Sequence, residues 1–226
     1  KDEILHGNGE KILIVDDEPF NVDYLEQELE DLEYETVSAF NGQEALEQVE
    51  AVRDDEALTY FEFGTLAAMV VFAEAGADTL LLEIGLGGRL DAVNAVEPTA
   101  GLITNIGLDH CAWLGNDIES IAFEKAGIMR PGKPVVFGSR ERPEAIGRHA
   151  ADIGARLLAA GRDYDWELTG DSWAWRGAEH ALKGLQRPVL IGDHQVANAA
   201  GVLALLEASG YADLLTHEAV DQALAN

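Results

Sequence analysis

Short apolar runs recur along this chain, and each is followed by Gly, Asn or Asp. They are Lys11–Val15 (KILIV), Tyr34–Phe40 (YETVSAF), Thr79–Ile84 (TLLLEI), Ala100–Ile106, Pro134–Phe137 and Arg156–Ala160. Runs this short and this apolar read as buried parallel strands. Helical patterns separate them. Pro19 suits a first helical turn, and Leu25, Leu29 and Leu32 follow as one apolar stripe. Asn41 with Glu44 and Thr59 with Glu62 have capping-box spacing, the second opening a helix through Ala75 that stops at Gly76. Further helices are expected over 117–126, 143–153, 194–209 and 216–225.

Strands alternating with helices imply an α/β fold: a doubly wound, mostly parallel sheet in three α/β/α layers. Residues 164–191 differ. There YDWEL and SWAWR alternate apolar with polar, so a small antiparallel β extension is expected. Trp166, Trp173 and Trp175 should pack that layer. In a doubly wound sheet, ligands bind beyond the carboxyl ends of the strands. Asp16 and Asp17, Glu83, and the Asp109-His110 pair fall at such ends.

Charge narrows the partners. Forty-two acids against fifteen bases give a net charge of −27, a surface that repels nucleic acid and anionic membranes, so neither is an expected partner. No stretch approaches the ~20 apolar residues a membrane span needs. The N-terminal stretch has no apolar run before Ile12 and does not read as a secretion signal. A single cysteine, Cys111, allows no internal disulfide and fits a reducing, cytoplasmic setting. The charge is also uneven. Residues 1–50 carry 16 acids and 2 lysines, against 26 acids and 13 bases in the rest. Such a step, beside the polar stretch VRDDEA, marks a join near residue 50.

Residues 11–50, with ILIVDDEP and YETVSAFNGQEAL, resemble the receiver domain of bacterial response regulators, a CheY-like fold. The resemblance implies that Asp16 and Asp17 match its magnesium-binding acidic pair. The receiver's phosphoacceptor strand and later Thr/Ser and Lys do not follow. Residues from about 49 onward resemble the central domain of bacterial folylpolyglutamate/dihydrofolate synthases, relatives of the Mur ligases. The blocks LTYFEFGTLAA, LLLEIGLGGRLDAVN, TNIGLDHCAWLG, EKAGIMRPGKPVV and HQVANAAGVLALL carry it, in the order and close to the spacing of that family. The resemblance implies ATP-dependent amide formation through an acyl phosphate, in folate biosynthesis. It implies Glu83 and His110 as magnesium ligands, and Lys125, carbamylated in that family, as a catalytic residue with His110. It implies Asn198 against the adenine, and Arg89, Asp91 and Asn94 lining the substrate and metal region.

One departure stands out. That family opens with a GxxxxGK[ST] P-loop, whose amides and lysine hold nucleotide phosphates. The motif occurs nowhere in this sequence, and ILIVDDEPF stands where it is expected. Two unscreened like charges about 4 Å apart cost about 1 kcal/mol in water, so carboxylates there repel phosphates unless a cation intervenes. The family's closing C-terminal domain is also expected to be absent, the chain ending at Asn226. The expectation is therefore a recombinant or engineered fold chimera: a receiver-like segment, 1–50, and a folate-ligase segment, 51–226, forming one composite α/β domain. It would lack full native activity and keep a divalent-metal site of Asp16, Asp17, Glu83 and His110, with magnesium the ion. The alternatives are the ligase itself, with ATP as cofactor and a folate-type substrate, and a receiver-type phosphorelay module.

Overall fold

Three successive residues, Val135, Val136 and Phe137, are each no more than 2% exposed. A strand buries consecutive side chains only when both faces of its sheet are covered. The computed structural model describes residues 11–15, 19–30, 33, 35–41, 44, 47, 50–51 and 57–225. The chain divides into two units, Lys1–Glu83 and Ile84–Asn226.

In the first unit, β1 (Lys11–Val15) and β2 (Glu35–Ala39) pair in parallel, Lys11 opposite Glu35 and Val15 opposite Ala39. Parallel neighbours need a crossover, and α1 (Pro19–Glu30) supplies it. Ile14, Val22 and Ala39 bury the contact between strands and helix. Asn41 Oδ1 accepts the Glu44 N–H at 2.9 Å, and the Glu44 carboxylate accepts the Phe40 N–H at 3.0 Å. The cap expected at Asn41 thus forms, and residues 44, 47, 50 and 51 are helical. α2 (Tyr60–Glu74) opens on the expected capping box. Thr59 Oγ1 accepts from Glu62 N at 3.2 Å, and Glu62 Oε2 from Thr59 N at 2.7 Å.

The strand predicted over 79–84 is not there. An apolar run becomes a strand only where a neighbour supplies a hydrogen-bond ladder, and no ladder reaches this run among the described residues. Leu81 is 97% exposed. Asp16 and Asp17 lie outside the described residues.

In the second unit, β3 (Gly101–Ile103), β4 (Pro134–Phe137) and β5 (Arg156–Ala159) form a parallel sheet in that order. Period-two alternation sorts their side chains to two faces. Ile103, Val135 and Phe137 pack with Ala122 and Ala126 of α3 (Ile118–Ala126) and with Ile146 and Ala150 of α4 (Glu144–Ile153). Val136 and Leu158 pack on the other side with Val196, Ala200 and Leu203 of α5 (Asp193–Ala208). The three α/β/α layers are those the sequence predicts.

β6 (Asp165–Thr169), β7 (Ser172–Arg176) and β8 (Ala181–Gln186) form the antiparallel extension. Trp173 and Trp175 are buried in the same core as α5. A buried indole N–H needs an acceptor. Trp175 donates to the Ala200 carbonyl at 3.1 Å, and Trp173 to the Gln186 carbonyl at 2.8 Å. Strand β5 is one edge of this sheet, and the turn after it closes that edge. Arg162 donates to the Leu157 carbonyl at 3.2 Å, and Asp163 accepts the Ala159 N–H at 2.7 Å. α6 (His217–Leu224) follows. Among the described residues no helix is long and apolar enough to cross a membrane.

The β7–β8 hairpin is pinned to α5 by one carboxylate. Glu207, 8% exposed in its side chain, accepts the N–H groups of Ala178, Glu179 and His180 at 2.8–3.0 Å and meets His180 Nδ1 at 2.9 Å. Burial alone would raise its pKa, but these donors outweigh it and hold the carboxyl below its ordinary range. A depressed carboxylate contributes stability above its unfolded pKa, and that contribution is lost as pH falls through the folded pKa. Glu207→Gln should therefore cost about 1–3 kcal/mol at pH 7. In urea melts the gap to the wild type should narrow once the pH drops below about 4. A gap constant across that range would contradict the assignment.

Candidate functional site

The glycine-rich loop after Ile84 is folded around its own aspartate. Asp91 Oδ2 accepts the N–H groups of Gly85 and Leu86, both at 3.0 Å, and Oδ1 accepts that of Val93 at 2.9 Å. A single 3-10 turn, Ala92–Ala95, follows. The amides of Asp91 and Asn94 are also spent within the loop, on Gly88 O and Asp91 O. These glycines serve close packing rather than an open phosphate cradle. A Cβ on Gly88 would stand 2.8 Å from the Glu124 carbonyl and 3.2 Å from that of Lys125.

The loop caps the carboxyl end of α3 from outside the helix. The last carbonyls of a helix have no intrahelical partner. Arg89 N–H donates to Glu124 O at 2.9 Å, and its guanidinium forks onto the Glu124 carboxylate at 3.0–3.2 Å. Asn94 Nδ2 donates to Gly127 O at 3.0 Å and to Arg89 O at 3.3 Å. Arg130 closes the junction with bonds to the Gly127 and Asn94 carbonyls and an ion pair to Glu97 at 2.9 Å.

Arg89, Asp91 and Asn94 are thus brought to one loop–helix junction with Lys125, the penultimate residue of α3. Lys125 is half-buried, and among the described residues no carboxylate lies within ion-pair distance of its ammonium. His110 sits elsewhere, on the exposed segment after β3. Its backbone is left-handed, with φ 51°, and its N–H donates to Asp109 Oδ1 at 2.7 Å. Its Nε2 is 3.7 Å from Asp109 Oδ2. Asn198 lies on α5 and donates to Gln195 Oε1 at 3.2 Å. That helix starts at Gly192, φ 127°, with no side-chain cap. Glu83 is exposed at the end of the first unit.

Among the described residues no three His, Cys, Asp or Glu side chains gather into a group able to hold a metal ion. Sequence reasoning did not single out Arg130 or Glu124 as site residues. Nothing local marks them, because the residues they hold across the junction stand 33 to 36 residues away.

The dihydrofolate synthase/folylpolyglutamate synthase of Escherichia coli K12 is 44% identical over 163 residues, 72% of this chain and 38% of the relative. That of Bacillus subtilis is 40% identical over 166 residues, 70% and 37%. The solved structure of E. coli FolC in complex with ADP superposes with a TM-score of 0.74 at 40% identity, covering 82% of this chain and 44% of that one. The bifunctional synthase from Yersinia pestis with AMPPNP and Mn ion gives 0.71 at 43%, covering 84% and 45%. No family model matches the chain. The chain spans about two fifths of the length of the curated relatives it matches.

These findings correct the expectation of an inactive fold chimera. Residues 51–226 make up about 78% of the chain, so a structural match over 82–84% runs into the segment read as receiver-like. Nothing supports a receiver segment, a phosphorelay module or an engineered join. The physical reason is that a buried strand, an amphipathic crossover helix and a second strand are what any doubly wound sheet demands. A local receiver pattern is therefore weak evidence against a long, ordered identity.

The junction makes a steric prediction. A Cβ on Gly127 would lie 2.4 Å from Arg89 Cβ, whereas one on Gly107 would meet nothing within 4 Å. Gly127→Ala should cost about 1–3 kcal/mol by overpacking. Gly107→Ala should stay within about 0.5 kcal/mol in the same melts.

Proposed function

We propose that this chain acts in ATP-dependent carboxylate–amine ligation, of the kind named by its relatives, dihydrofolate and folylpolyglutamate synthesis. The observation that carries the reading is the 44% identity over 163 residues to the E. coli synthase. The 0.74 superposition on the ADP complex points the same way.

The chemistry has two displacements. A substrate carboxylate oxygen attacks the γ-phosphorus of ATP; the new C–O–P bond forms as the β–γ bridge breaks and ADP leaves. An amine then attacks the acyl carbon, the C–O bond to phosphate breaks, and the amine proton passes to solvent. Both steps are mainly positioning and charge neutralisation. In a chain of net charge −27, anionic substrates need a local positive field. Residues 125–162 hold eight of the fifteen Lys and Arg and only three acids, with Arg130, Arg140 and Arg162 ion-paired and Lys125 in no ion pair among the described residues.

Within this reading Lys125 and His110 take the catalytic roles, and Asn198 contacts the adenine. Arg89, Asp91 and Asn94 shape the loop that borders the substrate. Magnesium would supply charge neutralisation at the phosphates, with Glu83 the candidate ligand of one ion and His110 that of a second. The described residues do not assemble a ligand set for it, so no step above runs through it. The setting is cytoplasmic, and the substrate is a folate-type carboxylate with an amino acid as amine.

The test is ADP release by the purified chain with ATP, a pteroate-type carboxylate and glutamate, each withheld in turn. Release should require all three, and Lys125→Ala should lower it about 100-fold. Release indifferent to the carboxylate and the amine, or none under conditions where the E. coli enzyme turns over, would overturn the proposal.

A further inference from the structure

Arg130 stands four residues beyond α3, with its side chain 19% exposed. Its guanidinium makes five bonds. Nε donates to Glu97 Oε2 at 2.9 Å. Nη1 donates to the carbonyls of Gly127 and Met129, both at 3.2 Å. Nη2 donates to Asn94 O at 2.7 Å and to Asn94 Oδ1 at 3.2 Å. Asn94 in turn donates to the same Gly127 carbonyl. Arg130 and Asn94 therefore grip one carbonyl two residues beyond Lys125 and grip each other across it.

We propose that Arg130 is a positioning residue, one that sets the register of the glycine-rich loop against the turn carrying Lys125. The inference rests on the ligase reading for its consequence in turnover, but its structural half stands on the bonds above. Only a planar fork with five donors satisfies carbonyls lying in three directions; a lysine at the same place is a point charge with one donor atom. Arg89 and Glu124 close the other side of the junction. With Arg130 cut away, the stretch from Asn94 to Glu97 keeps the Asn94 amide as its side-chain tie to the helix end, and that side of the loop loosens while Arg89 holds the other. A residue that served stability alone would change melting without singling out the loop.

The experiment is Arg130→Lys in the full chain, read by amide hydrogen exchange and by ADP release. The Arg89, Val93 and Asn94 amides should exchange about tenfold faster or more, while those of α5 keep their rates. kcat should fall about 10–100-fold, with KM for ATP within about twofold. Unchanged exchange in the loop would overturn the proposal, as would an equal rise throughout α5. Faster loop exchange in the variant with no turnover in the wild type would uphold the positioning role and sink the ligase reading alone. If Arg130→Lys does not fold, Asn94→Ala, which leaves the guanidinium in place, should produce the same loop-confined rise. Its absence there would be equally fatal.

Discussion

The carbonyls at the end of α3 must be satisfied, and the chain just past the helix does this only in part, with Gly127 N–H reaching Glu124 O at 3.3 Å and Met129 N–H reaching Ala126 O at 2.9 Å. Leaving a buried carbonyl bare costs about 1–3 kcal/mol, so the half-buried Gly127 carbonyl needs a donor from outside the helix. The Glu124 and Gly127 carbonyls are covered with the Arg89 amide, the Asn94 side chain and the Arg130 guanidinium as donors. Much else follows from that requirement. Gly88 has no side chain because a Cβ would strike the Glu124 carbonyl, and Gly127 has none because a Cβ would strike Arg89. Asp91 turns its carboxylate inward to bind the amides that the tight loop would otherwise leave unpaired.

This arrangement changes what a glycine-rich loop means here. Such loops are often read as phosphate cradles, where free amides point at an anion. In this chain much of the amide set is spent on an internal carboxylate and on a helix end. The loop is thereby tied to itself and to the end of α3.

The second unit also shows how a net charge of −27 is compatible with a tight core. One largely buried carboxylate, Glu207, is surrounded by N–H donors from one turn, which is how a buried charge avoids the penalty of desolvation. Asp163 is held in the same way by Arg162 and the Ala159 amide, and in being held it closes the edge of the sheet. The acids that are not exposed are thus put to structural use.

The order of elements was legible from residue 11 onward, because it depends on local pattern. Caps at Asn41, Thr59, Asp117 and Thr216 form where side chains of the right type precede apolar periodicity. The parallel layers follow from consecutive buried residues, and the tryptophan-bearing extension from strict alternation. Local pattern also misled. TLLLEI has the composition of a strand but no neighbour to pair with, and KILIVDDEP suggested a foreign segment when it met only the general needs of a parallel crossover. The junction itself was beyond the sequence. That Arg89, Asp91 and Asn94 lie near one another is a matter of spacing. That Arg89 and Asn94 face Glu124, Gly127 and Arg130, 33 to 36 residues away, was decided only when the chain closed, because a hydrogen bond records distance in space and leaves no trace in the spacing of residues.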